Sequence, residues 1–261
     1  MKTEVIADLG LCHGGSVVLA IDLIDSAKEV GFTAVQLQKE KINGEGELSF
    51  EDFKLIDDHC QSIGIEWSAS VGNEECAEMI AEFRPRWVRM PKGKGYYLEL
   101  LKYCIWNFNE VRISTEMMGW NSIKILHRLL CSPPSGFNTG TVPKSDRVLP
   151  QKRTGVIFHA GIDRPIRADG CGMKAIERMR IEMQSPRIGV GYSGNDKSIH
   201  SGAVAVAYGA TLIEKPYMVG ENPYNEDMGI NAPSEWARQC IEGIKEAEAM
   251  IGNAAVFPIS A

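Results

Sequence analysis

Side chains that could bind a small anion follow several short apolar runs of the sequence. They include Ser114, Ser193 and Arg89, with Lys92 shortly after Arg89. Arginine and lysine beside small hydroxyl residues supply charge-assisted hydrogen-bond donors, which suit a phosphate or a carboxylate. A carboxylate such as Glu214 could transfer protons at the same site. The pattern therefore indicates a binding site for an anionic substrate, provided that the fold brings these residues together.

Strand-like and helix-like patterns alternate along almost the whole chain. Short apolar runs predict strands at 3–9, 34–38, 65–69, 87–90, 111–114, 155–159, 188–192 and 211–215. Helical spacing predicts helices at 17–30, 50–62, 74–83, 97–106, 120–130, 173–183, 199–208 and 233–251. Such alternation implies parallel strands with right-handed crossovers, and this number of repeats matches an α/β fold, the closed (β/α)₈ TIM barrel. We expect one domain spanning residues 1–261.

Residues 131–153 interrupt this alternation with prolines and glycines, and they are expected to form an irregular insertion. A surface excursion is one interpretation. A lid or an oligomer contact is the other, because loops of this length are often functional.

The active site of a (β/α)₈ barrel lies at the C-terminal ends of the strands. These ends carry a set of residues rich in cations and hydroxyls: Asp8, His13, Gln36, Gln38, Lys39, Ser68, Ser70, Arg89, Lys92, Lys94, Ser114, Thr115, Glu116, His159, Asp163, Arg164, Ser193, Asn195, Asp196, Glu214 and Lys215. Both His13 and His159 could instead be structural histidines. Strand alternation turns Glu214 into the barrel and Lys215 outward, which disfavours a Schiff-base lysine at that position.

The composition favours a globular enzyme that binds neither nucleic acid nor membrane. The chain has 261 residues, of which 24% are charged and 44% hydrophobic, and its net charge of -6 does not suit phosphate-backbone binding. Seven scattered cysteines without a CxxC pair are typical of a reducing compartment and argue against a zinc site. The N-terminus is not a signal peptide, and no apolar run is long enough to span a bilayer. We expect a cytoplasmic protein.

Four segments, read in order, resemble motifs of the N-acetylneuraminate (sialic acid) synthase family. Ile6-Ala-Asp-Leu-Gly-Leu-Cys-His-Gly-Gly-Ser16 resembles I-A-E-I-G-x-N-H-x-G-S, and Arg112-Ile-Ser-Thr-Glu-Met117 resembles I-L-S-T-G-M. Gly189-Val-Gly-Tyr-Ser-Gly-Asn195 resembles I-G-Y-S-D-H. Ala210-Thr-Leu-Ile-Glu-Lys-Pro-Tyr217, with Asp227 and Asn231-Ala-Pro-Ser-Glu235 beyond it, resembles the ending G-A-x-x-I-E-K-H-F…D…S-L-E-P-x-E. Together they cover nearly the whole barrel.

The resemblance implies a condensation of phosphoenolpyruvate with an acylamino-sugar aldehyde, with release of phosphate. In the family a divalent metal, often manganese, polarises the aldehyde oxygen. The resemblance further implies phosphoenolpyruvate contacts and substrate contacts at matching positions: Ser114 and Ser193 for phosphoenolpyruvate, Gln38 on the substrate side, Asp227 for the sugar, Asp8 at an acidic position, His13 in the first loop, and Arg89 in place of a lysine.

The departures from the family fall on its metal site. Its two metal-binding histidines correspond to Asn195 and Pro216, and proline offers no side-chain ligand. Manganese or magnesium could then bind only through other groups, such as carboxylates at the barrel mouth. Other family positions are also replaced, a lysine by Gln36, a threonine by Ala69 and a sugar-contact glutamate by Lys94. From the sequence we expect the catalytic barrel alone, without the antifreeze-like domain of the family.

Three functions therefore remain open. The first is a divergent synthase that uses phosphoenolpyruvate or a similar anion, with Asp8 and Glu214 as catalytic residues and an anion or substrate site formed by His13, Gln38, Arg89, Lys92, Ser114, Ser193, Asn195 and Asp227. The second is an inactive barrel that binds an anion or a sugar phosphate, or has a regulatory role. The third is a metal-independent barrel enzyme of different chemistry. The family dimerises, so a homodimer is expected.

Overall fold

A computed structural model describes residues 2–91, 93–94, 97–131, 154–161, 165–219 and 234–252. Eight parallel strands close into a barrel in chain order, each pairing with the next and the last with the first. The strands are β1 (Glu4–Gly10), β2 (Ala34–Lys39), β3 (Glu66–Val71), β4 (Trp87–Met90), β5 (Glu110–Ser114), β6 (Thr154–Ala160), β7 (Ile188–Ser193) and β8 (Leu212–Pro216). The predicted fold class is confirmed.

Helices surround this barrel and alternate with its strands. They are α1 (Val17–Val30), α2 (Phe50–Ile63), α3 (Glu74–Ala81), α4 (Leu98–Asn107), α5 (Trp120–Cys131), α6 (Lys174–Glu182), α7 (Ser201–Ala207) and α8 (Ser234–Ile251), with a short 3-10 turn at Ala168–Gly170 before α6. Observed and predicted bounds differ by two residues or fewer at every helix and strand end. The insertion predicted at 131–153 lies outside the described residues, except for Cys131 at the end of α5.

Local signals explain why the helices begin and end where they do. Ser49 caps α2 in a reciprocal capping box with Asp52, and Asn73 caps α3 by accepting from the amide of Cys76. Gly31 ends α1 at a φ of 107°, a conformation that a residue with a Cβ rarely adopts. These caps fix the residues at which the helices begin and end, and therefore where the connecting loops start and stop.

Strand alternation divides the side chains into two apolar regions. Outward-facing side chains pack against the helices and form the main core. Inward-facing side chains form a smaller apolar layer across the lumen, made of Ile6, Ala34, Trp87, Val156, Phe158 and Leu212. This layer separates the polar groups at one end of the barrel from those at the other.

The N-terminal end of the lumen holds five charged residues, here called the basal cluster: Glu4, Glu66, Arg86, Glu110 and Arg112. Arg112 has no exposed surface and donates to both carboxylate oxygens of Glu4, at 3.0 and 3.2 Å, and to Glu110. Arg86 bridges Glu4 at 2.6 Å and Glu66 at 2.8 Å. The guanidinium of Arg112 also lies 4.0 Å from the ring centroid of Trp87. The cluster closes this end of the barrel.

Candidate functional site

At the other end of the lumen, Arg89 and Glu214 form a buried ion pair across the barrel. Arg89 lies on β4 and Glu214 on β8. The Arg89 Nη2 atom is 2.7 Å from Oε2 of Glu214, and Nε is 3.1 and 3.3 Å from the two carboxylate oxygens. The pair is therefore bidentate, the geometry in which arginine binds a carboxylate most strongly.

Residues on β2 and β7 hold the carboxylate of Glu214 from two further sides. Gln36 on β2 donates its side-chain amide to Oε1, and the Ser193 hydroxyl on β7 also bonds the carboxylate. Burial by itself would raise the pKa of Glu214, but the charge of Arg89 and these hydrogen bonds lower it below its ordinary value. Glu214 is accordingly ionised at neutral pH, so it is not a proton donor there.

The end of β5 presents the second predicted serine. Ser114 is buried, and the amide of Glu116 donates to its hydroxyl oxygen at 3.4 Å. The turn is fixed by Thr115, whose amide and hydroxyl both donate to the carbonyl of Phe158, at 3.1 and 2.8 Å. Ser114 lies in register with Phe158, and the guanidinium of Arg89 covers the ring of Phe158 at 4.6 Å. Arg89 and Ser114 thus border one polar surface.

Asp8 and Gln38 complete this surface at the ends of β1 and β2. Asp8 is half-buried and lies in register with Gln36 on one side and Pro216 on the other. Gln38 is also half-buried, and its amide donates to Glu40 at 3.2 Å. The structure thus brings the predicted residues Asp8, Gln38, Arg89, Ser114, Ser193 and Glu214 to the same end of the barrel.

His13 lies beside Lys39, in the loop that follows β1. Its Nδ1 atom accepts from the amide of Gly15 at 3.0 Å, so Nε2 carries the proton of the neutral ring. Burial, aided by the charge of Lys39, lowers the pKa of His13 to about 4. Lys39 itself donates to the carbonyls of Ile42 and Leu48 and is therefore held by the β2–α2 loop. It faces away from the lumen, as strand alternation predicts.

Lys215, the next residue after Glu214, lies on the opposite face of β8. Its Nζ atom is 2.7 Å from Asp196 and 2.6 Å from the hydroxyl of Ser201 on α7, and the Tyr192 hydroxyl also donates to Asp196 at 2.8 Å. Asp196 and Lys215 are both almost completely buried behind the barrel wall. The outward orientation predicted for Lys215 is confirmed, so this lysine cannot form a Schiff base inside the barrel.

His159 also faces outward, although it lies near the end of β6. Its Nε2 atom lies 2.7 Å from the carbonyl oxygen of Cys171 and its ring packs near Tyr192, at 6.1 Å between centroids. Burial lowers its pKa, against the opposing effect of that hydrogen bond. Of the two interpretations of His159, the structure favours the structural histidine.

The donor set at the mouth does not fit the metal of the sialic acid synthase family. Pro216 offers no ligand atom, and Asn195 is a weak ligand compared with imidazole. Arg89 and Gln36 already bind the carboxylate of Glu214. Within the described ranges, no group of three or more histidine, cysteine, aspartate or glutamate side chains could hold a metal ion.

Two predicted site residues, Lys92 and Asp227, lie outside the described residues, as do Asp163 and Arg164. The roles of Gln36 and Ser193 in holding Glu214 were not predicted from the sequence. The signal for them was available, because Gln36, Arg89, Ser193 and Glu214 all have the inward parity of their strands. The sequence does not show how close these inward-facing side chains come to one another across the lumen.

The sequence matches the NeuB family over residues 28–256. The chain belongs to the NeuB family. Its relatives include the N,N'-diacetyllegionaminic acid synthase of Legionella pneumophila, 24% identical over 97% of this chain and 74% of that protein. The N-acetylneuraminate-9-phosphate synthase of Drosophila melanogaster is 22% identical over 85% of this chain and 62% of that protein.

Solved structures share the fold of this NeuB-family chain. The N-acetylneuraminic acid synthetase of Leptospira borgpetersenii, in complex with citrate, matches with a TM-score of 0.82 and 20% identity over 100% of this chain and 88% of that one. A truncated 3-deoxy-D-arabino-heptulosonate 7-phosphate synthase from Thermotoga maritima matches with a TM-score of 0.71 and 13% identity over 96% of this chain and 88% of that one. None of the described helices has the length and apolar character needed to cross a membrane.

Proposed function

We propose that this NeuB-family barrel is a divergent condensing enzyme that joins phosphoenolpyruvate, or a similar small anion, to the aldehyde of a sugar. The observation that carries the proposal is that Arg89, Ser114 and Ser193 all lie at the C-terminal end of the barrel, two of them joined through Glu214. The synthase names of its relatives support the reaction class, and the citrate bound to the Leptospira protein is also a small anion.

The proposed reaction needs an anion site and a proton. A carbon–carbon bond forms between the methylene carbon of phosphoenolpyruvate and the aldehyde carbon, and the aldehyde oxygen takes up a proton. Water adds at the enol carbon that carries the phosphate, and phosphate leaves. Arg89, Ser114 and Ser193, with Lys92, would hold the anion, while His13, Gln38, Asn195 and Asp227 would line the second substrate. Proton transfer falls to Asp8, because the ion pair with Arg89 keeps Glu214 charged.

The metal-binding histidines of the sialic acid synthase family have no equivalent here, so no step of this proposal is routed through a metal ion. Hydrogen bonds and the charge of Arg89 would stabilise the developing anion instead. The reaction is tested by measuring phosphate release from phosphoenolpyruvate with a panel of sugar aldehydes, with chelator, manganese or magnesium. We expect release that needs both substrates and gives a 2-keto acid product. No release under any of these conditions would contradict the proposal.

A second candidate is favoured by one observation, the replacement of two metal-binding residues by Asn195 and Pro216. The barrel would then bind a phosphorylated or carboxylated ligand without turning it over. Calorimetric binding of phosphoenolpyruvate with no phosphate release would support this candidate over the synthase. Failure to bind any phosphorylated ligand would remove it.

We extend the proposal to a homodimer in the cytoplasm, with one mouth per subunit. All seven cysteines are free, and every one except Cys131 is buried, which is typical of a reducing compartment. Light scattering during gel filtration should give twice the chain mass of 28.8 kDa. A mass equal to one chain at micromolar concentration would contradict the dimer.

A further inference from the structure

Glu214 occupies the centre of the mouth but has little freedom to take part in chemistry. Its carboxylate is bound by Arg89, Gln36 and Ser193, and its surface is about 1% exposed. A group that transfers protons must reach its substrate and change its charge. The three partners of Glu214 lie on three different strands and hold its carboxylate in place. They also favour its charged form, so they oppose both the movement and the change of charge. The contacts of Glu214 suit a fixed negative charge.

The fixed charge acts on one specific group, the guanidinium of Arg89. Glu214 binds the edge that carries Nε and Nη2, and the carbonyl of Met90 accepts from Nη1 at 2.8 Å. The face of the guanidinium lies against the ring of Phe158. An arginine side chain can rotate around four bonds. The contacts of Arg89 with Glu214 along one edge, with Phe158 on one face and with the carbonyl of Met90 together fix the plane of its guanidinium.

Arg89 retains hydrogen-bonding capacity after these contacts. A guanidinium has five N–H groups. Bonds to described residues use three of them, one each on Nε, Nη1 and Nη2. Among the described residues, one N–H on Nη1 and one on Nη2 have no acceptor. Two N–H groups on a planar fork match the two oxygens of a carboxylate.

We propose that Glu214 is a positioning residue that fixes Arg89, so that the remaining N–H groups of the guanidinium bind the carboxylate of an anionic substrate. The proposal rests on the proposed function and names its substrate class: a small carboxylate that also carries a group, such as a phosphate, for the hydroxyl of Ser114. Phosphoenolpyruvate has both features. In this proposal Glu214 does not transfer protons.

The barrel supplies its own control for this proposal. Glu4 in the basal cluster also binds a buried arginine, since Nη2 of Arg112 donates to both of its carboxylate oxygens. The variants Glu214→Gln and Glu4→Gln therefore make the same chemical change in the same lumen, one at the mouth and one at the base. Titration calorimetry would compare phosphoenolpyruvate with inorganic phosphate, which lacks the carboxylate, on both variants and on the wild-type protein.

For Glu214→Gln we expect phosphoenolpyruvate to bind roughly tenfold or more weakly, the loss expected when a charge-assisted contact is misplaced, while phosphate affinity stays within about twofold. For Glu4→Gln we expect both affinities to stay within about twofold. Glu214→Asp keeps the charge beside Arg89 but withdraws the carboxylate, so it should also weaken phosphoenolpyruvate binding, and it serves if Glu214→Gln does not fold.

Other results would overturn the inference. Tighter binding of phosphoenolpyruvate by Glu214→Gln would mean that Glu214 competes with the ligand for Arg89. Equal losses for phosphoenolpyruvate and phosphate, or equal effects of the mouth and base variants, would indicate a structural role alone. Wild-type protein that binds neither ligand would instead contradict the proposed function, which keeps the two failures distinguishable.

Discussion

The two ends of the barrel lumen use the same chemical groups in different ways. At the base, two arginines and three carboxylates bond to one another, and Glu4 takes contacts from both arginines. At the mouth, one arginine meets one carboxylate, and amide and hydroxyl groups on neighbouring strands surround the pair. The charges at the base bond mainly to one another, whereas the pair at the mouth lies among polar groups at the end of the barrel where active sites of this fold are found.

This difference shows that a buried ion pair does not identify a functional site by itself. Arg112 is as buried as Arg89, and each arginine also lies over an aromatic ring. Both arginines keep N–H groups after their internal contacts, since Nη1 of Arg112 is buried without a hydrogen-bond partner among the described residues, so what separates them is the end of the barrel that they occupy. Active sites of this fold lie at the C-terminal ends of the strands, and the opposite end contributes stability.

The largest effect is expected from Arg89→Met at the mouth. The substitution leaves the carboxylate of Glu214 buried without its cation, and breaking a buried pair in this way costs about 3–5 kcal/mol. Urea unfolding should show that loss at neutral pH, and phosphoenolpyruvate binding should disappear. A variant that unfolds at the wild-type urea concentration would contradict the account of the pair.

Arg112→Met at the base should be less destabilising and should leave ligand binding intact. Glu4 keeps its contact with Arg86, and its side chain is 20% exposed, so water compensates part of the lost charge. We expect a loss of roughly 2 kcal/mol, below the range for fully buried pairs. Weaker phosphoenolpyruvate binding by this variant, measured by calorimetry on folded protein, would break the separation between the two ends.

A smaller effect is expected from acid. Because the folded-state pKa of Glu214 is lowered, its ion pair stabilises the protein above the unfolded pKa, near the ordinary value of 4.5, and this contribution is lost as pH falls through the folded pKa. The difference in unfolding free energy between wild type and Glu214→Gln should therefore shrink below about pH 4.5. Asp196, whose pKa is also lowered against the opposing effect of burial, is present in both proteins and cancels. A difference that stays constant from pH 7 to pH 3 would be inconsistent with the ion pair.

The smallest effects compare two serines on the inner face of the barrel. Ser68 donates to the backbone carbonyl of Trp87 and is fully buried, so Ser68→Ala should cost about 1 kcal/mol of stability without changing ligand affinity. Ser114→Ala should change ligand affinity by a few-fold and stability little, because the internal hydrogen bond that its hydroxyl oxygen accepts from the amide of Glu116 is long, at 3.4 Å, and we propose that the hydroxyl donates to the anion. Thermal unfolding and calorimetry on both variants would test this. A loss of ligand affinity in Ser68→Ala, or a loss of stability alone in Ser114→Ala, would contradict the assignment.

Much of the fold followed from the sequence, because strand–helix alternation and strand parity are local patterns. The same parity placed Glu214 inside the barrel and Lys215 outside. The pairing of Arg89 with Glu214 did not follow, because these residues are 125 positions apart and no local pattern encodes a distance across the lumen. The surroundings of His13 depend on loop packing against Lys39, which periodicity also does not describe.

The most direct test of the central claim is a crystal structure of the protein grown with phosphoenolpyruvate and manganese. The account predicts phosphoenolpyruvate at the mouth, with its carboxylate on the Nη1 and Nη2 atoms of Arg89 and its phosphate near Ser114. It also predicts no manganese between Asn195 and Pro216. An empty mouth, or a ligand seated at the basal cluster, would contradict it.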